Sequence, residues 1–309
     1  MQARLSVDEE AFPRLRKRKC AQEAEDLAEM AQALRKELAE LQKPADNRQL
    51  ALASAQSMIY DHLLGTQCKN PMHTNIHLPR QRSARRNVLL DRKSDNIRQC
   101  YDYLKARSND LDLSKNYFSV DKFEDSAGNL VGRRFDVIRF HGSRSLKQIY
   151  DALARFMCSL EGSDSTLGDI TGRDDYQALN GGAYISNHRF ESNHEGVRSE
   201  VNTTSFAQYF GDQNELEDSK CAVLITDSID ADDLHPYDPL AFVRRDVTAG
   251  IVLTEEKNCD EVVVLMRHAA FMKVYRPSFD VPDKVMNEMY ERTAQWPTTM
   301  VQTIRRLID

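Results

Sequence analysis

The sequence predicts an α+β fold: an antiparallel sheet closed by a long C-terminal helix, preceded by a helical N-terminal region. Three observations point there. The chain has 309 residues, 41% of them hydrophobic and 29% charged, which is a globular composition with room for one large domain and an appendage. The two parts differ in character. Residues 1–107 carry net charge +6 and residues 108–309 net charge −12; only Phe12 and Tyr60 of the aromatic residues precede residue 101, and eleven of the twelve glycines follow residue 127. A core needs large apolar side chains and sheet turns need glycine, so residues 108–309 are expected to form the packed domain and 1–107 a basic helical region with a linker. The third observation is order: a strand and a helix, then a run of short strands, then a closing helix.

Residues 14–42 read as one helix. Pro13 suits a first helical position, Leu27, Met30, Leu34, Leu38 and Leu41 recur at steps of three and four, and Pro44 ends the pattern. Leu27, Leu34 and Leu41 repeat every seven residues, with Glu37 between the last two. An amphipathic helix lying on its own domain and a short coiled coil giving a homodimer both remain open. A short helix is expected at about 48–64, and a basic helical stretch at 80–107.

Beyond residue 108 the pattern changes. Residues 133–140 form a β-type stretch and 145–160 a helical stripe. Strands are expected at about 183–191, 196–206, 220–229, 242–254 and 261–275, with Gly, Asn, Asp and Glu in the gaps, as hairpins require. The stretch 282–308 is helical, and Pro297 should kink or restart it. In strand 261–275 the even positions Val262, Val264, Met266, His268, Ala270, Met272 and Val274 are nearly all apolar, whereas the odd ones include Arg267 and Lys273. That even face is expected to point at the closing helix, since a lone sheet would otherwise leave it wet.

This order is that of a helix-grip fold, and residues 108–309 resemble a START-like domain. The residues that carry the resemblance are Leu167–Asp175 (LGDITGRDD), Gly182–Ser186 (GAYIS), Arg198–Phe206 (RSEVNTTSF), Asp227–Asp238 (DSIDADDLHPYD), Phe242–Leu253 (FVRRDVTAGIVL) and Met272–Pro277 (MKVYRP). With its basic N-terminal segment, the chain is most similar to an oomycete group that joins such a segment or a coiled coil to a START-like domain, some of it labelled a mating-specific protein family. The resemblance implies a cavity between a curved sheet and the last helix that holds a lipid or another apolar small molecule, by binding or sensing and without catalysis. Cavity candidates are Val264, Met266, His268, Met272, Met289 and Trp296. A dry cavity of about 300 Å³ would cost roughly 7 kcal/mol, comparable to the whole stability of a domain. Such a space is therefore either occupied or closed by side chains, and methionines suit both.

Other signals point elsewhere. Arg14, Arg16, Lys17, Arg18 and Lys19 ahead of the leucine stripe resemble a bZIP layout, in which a basic helix enters the major groove. The base-reading asparagine of that family would fall on Glu9, and its small alanine pair on Phe12 and Pro13. The departure leaves a nuclear-localisation patch or a solvated basic turn as readings beside nucleic-acid binding. Cys68, His73 and His77 offer borderline metal ligands without a second pair, and read as a polar loop. Asp227, Asp230, Asp232, Asp233 and Asp238 lack calcium-loop spacing and read as an acidic solvated loop. His268 either bonds a neighbour in the core or poises a ligand head group. His188 and His194 flank a turn and are expected to be exposed. No G-x-S-x-G, phosphate-cradling loop or H-E-x-x-H occurs, so neither catalytic residues nor a cofactor is expected. With no apolar run of about 18 residues, no membrane span is expected. Six scattered cysteines and an N-terminus without an apolar stretch suggest reduced thiols and a cytoplasmic or nuclear location.

Overall fold

Strand alternation in the second part of the chain builds a broad sheet with two buried faces. The computed structural model describes residues 70–308, apart from 142–144, 159–165, 181, 213, 217–218 and 259–260, with Gln32 the one described position before them. The basic patch at 14–19, the leucine stripe at 27–41, the short helix at 48–64 and Cys68 all lie outside the described residues.

Among the described residues the order is β1 (His77–Leu78), α1 (Arg82–Ser108), β2 (Tyr117–Glu124), β3 (Leu130–Phe140), α2 (Leu146–Cys158), β4 (Asp169–Asn180), β5 (Ala183–His194), β6 (Val197–Phe210), β7 (Cys221–Ser228), β8 (Ala231–Asp232), β9 (Val243–Asn258), β10 (Glu261–Val274), α3 (Asp283–Ala294) and α4 (Trp296–Ile308). Eight strands form one curved sheet in the order β2-β3-β10-β9-β7-β6-β5-β4, with antiparallel ladders between neighbours. The fold is the expected helix-grip class. The β5–β6 hairpin turns through Glu195 and Gly196, both with positive φ (52° and 91°), as the right-handed strand twist prefers in a two-residue turn.

The inner face of the sheet is covered by α2 and α4, which pack on each other through Phe156 and Trp296, ring centroids 5.7 Å apart. Phe140, Leu146, Ile149, Leu153, Val264, Met266, Trp296, Met300 and Ile304 belong to this core. The closing helix is two helices. Gln295 separates them, and Pro297 sits in the first turn of α4, where its missing N–H breaks no intrahelical bond. The expected even face of β10 does turn inward, from Val264 to Val274; Val262 alone is 37% exposed, at the start of the strand.

The domain boundary expected at 107/108 differs from the observed one. The packed unit runs Cys68–Asp309. The outer face of the sheet is itself apolar, through Val223, Ile225, Val252, Leu265 and Ala269, and residues 70–108 cover it with Met72, Ile76, Leu78, Leu89, Ile97, Cys100, Tyr101 and Leu104. On α1, Leu89, Ile97, Cys100, Tyr101 and Leu104 lie at helical spacings that place them on one face. Gly250 on β9 permits the close approach: a Cβ there would lie 2.6 Å from Cys100 Sγ and 2.7 Å from Met72 Sδ. Arg267, on the outer face of β10, is buried and donates to Ser108 Oγ at 2.8 Å and Thr254 Oγ1 at 2.9 Å.

Candidate functional site: a cavity under the closing helices

The inner face of the sheet is not uniformly apolar. Strand register aligns Ser186, Ser205 and Thr226 across β5, β6 and β7, with Ala249 next in the row. The adjacent row aligns His188 with Thr203 and Ser228. Ser205 Oγ and Thr226 Oγ1 lie 2.8 Å apart. Over these polar rows Met157, Leu167, Phe190, Val247, Ala249 and Trp296 close a cavity that His188, Thr203, Ser205 and Thr226 also line. About 10 Å³ of open space remains inside it, close to what one water molecule needs.

Two residues lining this space each carry a buried polar atom without a hydrogen-bond partner: His188 at Nε2 and Trp296 at Nε1. The other ring nitrogen of His188 lies 3.4 Å from Ser186 Oγ. Burial, aided by the charge of Arg173, pushes the imidazole down to about 4, so it is neutral at physiological pH. Among the described residues no Asp, Glu, Lys or Arg lines the cavity.

Arg245 fixes one wall. It is buried and donates to Leu167 O at 2.6 Å, Ser192 Oγ at 3.0 Å and Thr293 Oγ1 at 2.9 Å, tying the loop before β4, strand β5 and helix α3 together. Burial pushes its guanidinium down to about 10, with Arg292 adding to the effect. Ser192 Oγ also lies 2.9 Å from His194 Nε2, and His194 Nδ1 lies 3.4 Å from Glu288 Oε1. The sequence serine, histidine, carboxylate follows a nucleophile, base and orienter, but Ser192 Oγ is also engaged by Ser199 Oγ at 2.8 Å and by Arg245. The network holds the β5–β6 hairpin to α3.

Of the residues expected to line a cavity, Trp296 does. Val264 and Met266 lie in the same apolar core but not on the cavity. Met272 and Met289 belong to a separate cluster beneath α3, with Val274, Val285 and Tyr290, because the break at Gln295 divides the closing helix into two packing units. His268 is a bonded core histidine: its Nδ1 lies 2.8 Å from Asp136 Oδ2, and its ring centroid 6.5 Å from that of Trp296. Burial pushes the Asp136 carboxyl up, but His268 and Arg134 outweigh it and hold the group below its usual range. His188 and His194, expected to be exposed, are 1% and 2% exposed, since β5 runs on to residue 194 and both face inward. The polar rows on β5–β7 went unseen because their alignment depends on register, which a single strand does not display.

The acidic segment is not the solvated loop expected. Asp227 and Asp232 are buried, as counter-charges to the segment that covers the outer face. Arg85 makes a bidentate pair with Asp232 at 2.6 and 3.0 Å and donates to Tyr176 Oη at 2.8 Å. His73 bonds Asp227 at 2.8 Å and Asp230 at 3.2 Å, which together raise it to about 10 despite burial. His77 bonds Asp233 at 2.7 Å. These pairings engage the carboxylates around an open basin of about 430 Å³ lined by Arg80, Asp230–Asp233, Pro236 and Tyr237. Among the described residues no cluster of His, Cys, Asp and Glu is arranged to hold a metal ion, and no helix is long and apolar enough to cross a membrane.

No protein-family model and no curated protein matches the chain. Among solved structures it is similar to human StAR-related lipid transfer protein 5, with 10% identity over 71% of this chain and 99% of that one, at a TM-score of 0.39. It is similar to human STARD10, with 13% identity over 66% of this chain and 83% of that one, at a TM-score of 0.32. A STAR-related lipid transfer protein fragment from Xanthomonas axonopodis shares 11% identity over 62% of this chain and 99% of that one, at a TM-score of 0.33. At these identities no residue role passes from those proteins to this chain.

Proposed function

We propose that this chain binds a lipid or another apolar small molecule, without catalysis, in the cavity between the curved sheet and helices α2 and α4. One observation carries the reading. His188 and Trp296 line one mostly apolar space, and each has a buried ring nitrogen, Nε2 and Nε1, without a partner. Each unsatisfied buried polar group costs about 1–3 kcal/mol; His268 Nε2 and Tyr290 Oη are also unpartnered elsewhere in the core, and His188 and Trp296 are set apart by lining one space. A bound molecule satisfies them while covering Phe190, Val247 and Met157. The open space admits about one water, so loading requires α2 and α4 to move outward from the sheet; their mutual packing through Phe156 and Trp296 lets them move as one lid. Nucleic-acid binding, dimerisation and nuclear targeting would rest on residues 14–41, outside the described residues.

Native mass spectrometry of the full chain, before and after incubation with a total lipid extract, tests the reading. We expect one adduct per chain, released on denaturation. A chain that stays at its bare mass under both conditions would favour a filled core whose polar atoms share one trapped water.

A further inference from the structure

Resting on that reading, we infer that the cavity selects a neutral ligand with a single hydroxyl head group, held between His188 and Trp296. The argument starts from the lining. Among the described residues its polar groups are an imidazole, an indole N–H and the hydroxyls of Thr203, Ser205 and Thr226. None carries a charge, since burial keeps His188 neutral above about pH 4. A carboxylate or phosphate placed here would lose its hydration and meet no cation. An ammonium would lose its hydration and meet no carboxylate. Both are disfavoured by the cost of burying an unpaired charge.

The two unpartnered atoms narrow the head group further. Trp296 Nε1 can only donate. His188 Nε2 donates or accepts, depending on which way the 3.4 Å contact between its Nδ1 and Ser186 Oγ is polarised. A hydroxyl oxygen accepts from the indole and pairs with His188 in either tautomer. A carbonyl or ether pairs with both only when His188 carries its proton on Nε2. Ser205 and Thr226 already bond each other at 2.8 Å, so they compete weakly for the head group. The apolar remainder of the ligand faces Met157, Phe190 and Val247.

The test titrates the full chain at pH 7.5 with three probes of one chain length: 1-octanol, octanoate and octylammonium. Trp296 is the only tryptophan and lines the cavity, so its emission reports occupancy. We expect saturable binding of 1-octanol at least about tenfold tighter than of either ion. His188→Phe should weaken 1-octanol about tenfold, while His188→Gln, which keeps a donor and an acceptor, should hold it within about threefold. Should His188→Phe fail to fold, the ranking of the three probes on the natural chain still decides. Octanoate or octylammonium binding as tightly as 1-octanol, or a folded His188→Phe binding 1-octanol as well as the natural chain does, would overturn the head-group assignment and leave the cavity reading standing. No saturable response to any probe would overturn both.

Discussion

Arg85 and His73 show how single side chains anchor the layer that covers the outer face. Arg85 is 1% exposed, and its guanidinium is shared among Asp232, Tyr176, Asn187 and the Pro79 carbonyl. Removing one partner of such a pair leaves the other charge buried alone. Arg85→Met should therefore destabilise the fold by about 3–5 kcal/mol, and adding Asp232→Asn should recover part of that loss; urea unfolding of the single and double variants measures both. His73 gives a pH signature. Its folded value of about 10 lies above the ordinary 6.5, through Asp227 first and then Asp230. Its stabilisation is therefore complete below pH 6.5 and disappears as pH rises through about 10. The gap in urea midpoint between the natural chain and His73→Gln should be widest at pH 6 and nearly closed at pH 10; a gap that does not change with pH would contradict the assignment. Neither role was legible in the sequence. Asp227 and Asp232 look solvated until the segment that delivers His73 and Arg85 is placed against them.

At the scale of elements, the sequence was readable where one face pattern dominated and opaque where both faces are covered. Strand 261–275 declared its inner face through Val264, Met266 and Met272, and Pro297 announced the restart at Trp296. Strands β5 and β6 did not declare a face, because helices bury both sides: Ile185 and Phe206 join the outer core, and Tyr184, Phe190 and Val201 the inner one. Strand β2 escaped notice for another reason. As an edge strand it leaves Phe118 and Val120 exposed at 56% and 48%, so its alternation points to no core. Helix α1 was legible as a helix but not as a layer, since its basic residues hide the stripe from Leu89 to Leu104. Its fit to the sheet depends on Gly250. Gly250→Ala drives a methyl group into Cys100 and Met72 and should cost about 1–3 kcal/mol by overpacking. Pairing it with Cys100→Ala should reduce that loss, as a double-mutant cycle on thermal unfolding would show.

The unit described, residues 70–308, is a sheet between two helical layers, and the two layers are held differently. The outer layer, residues 70–108, is held by ion pairs and tight packing. The inner layer, α2 and α4, closes over a mostly apolar space whose lining includes the uncharged polar residues His188, Thr203, Ser205 and Thr226. A fragment 70–309 should unfold cooperatively, whereas 108–309, stripped of Leu89, Ile97, Cys100 and Leu104, should expose the outer core and aggregate; calorimetry and sedimentation separate the two outcomes. The fold class could be read from element order, but the cavity could not, because its polar wall is assembled from three strands whose register becomes visible only once they are paired. The central claim is that the space beneath Trp296 takes a ligand. A high-resolution crystal structure of the chain, purified without detergent and soaked in 1-octanol, tests it most directly. Elongated density running from His188 and Trp296 along Phe190 and Val247, with α2 and α4 displaced outward, is the predicted result. A lone spherical peak of one water, or no density at all, between those side chains would contradict it.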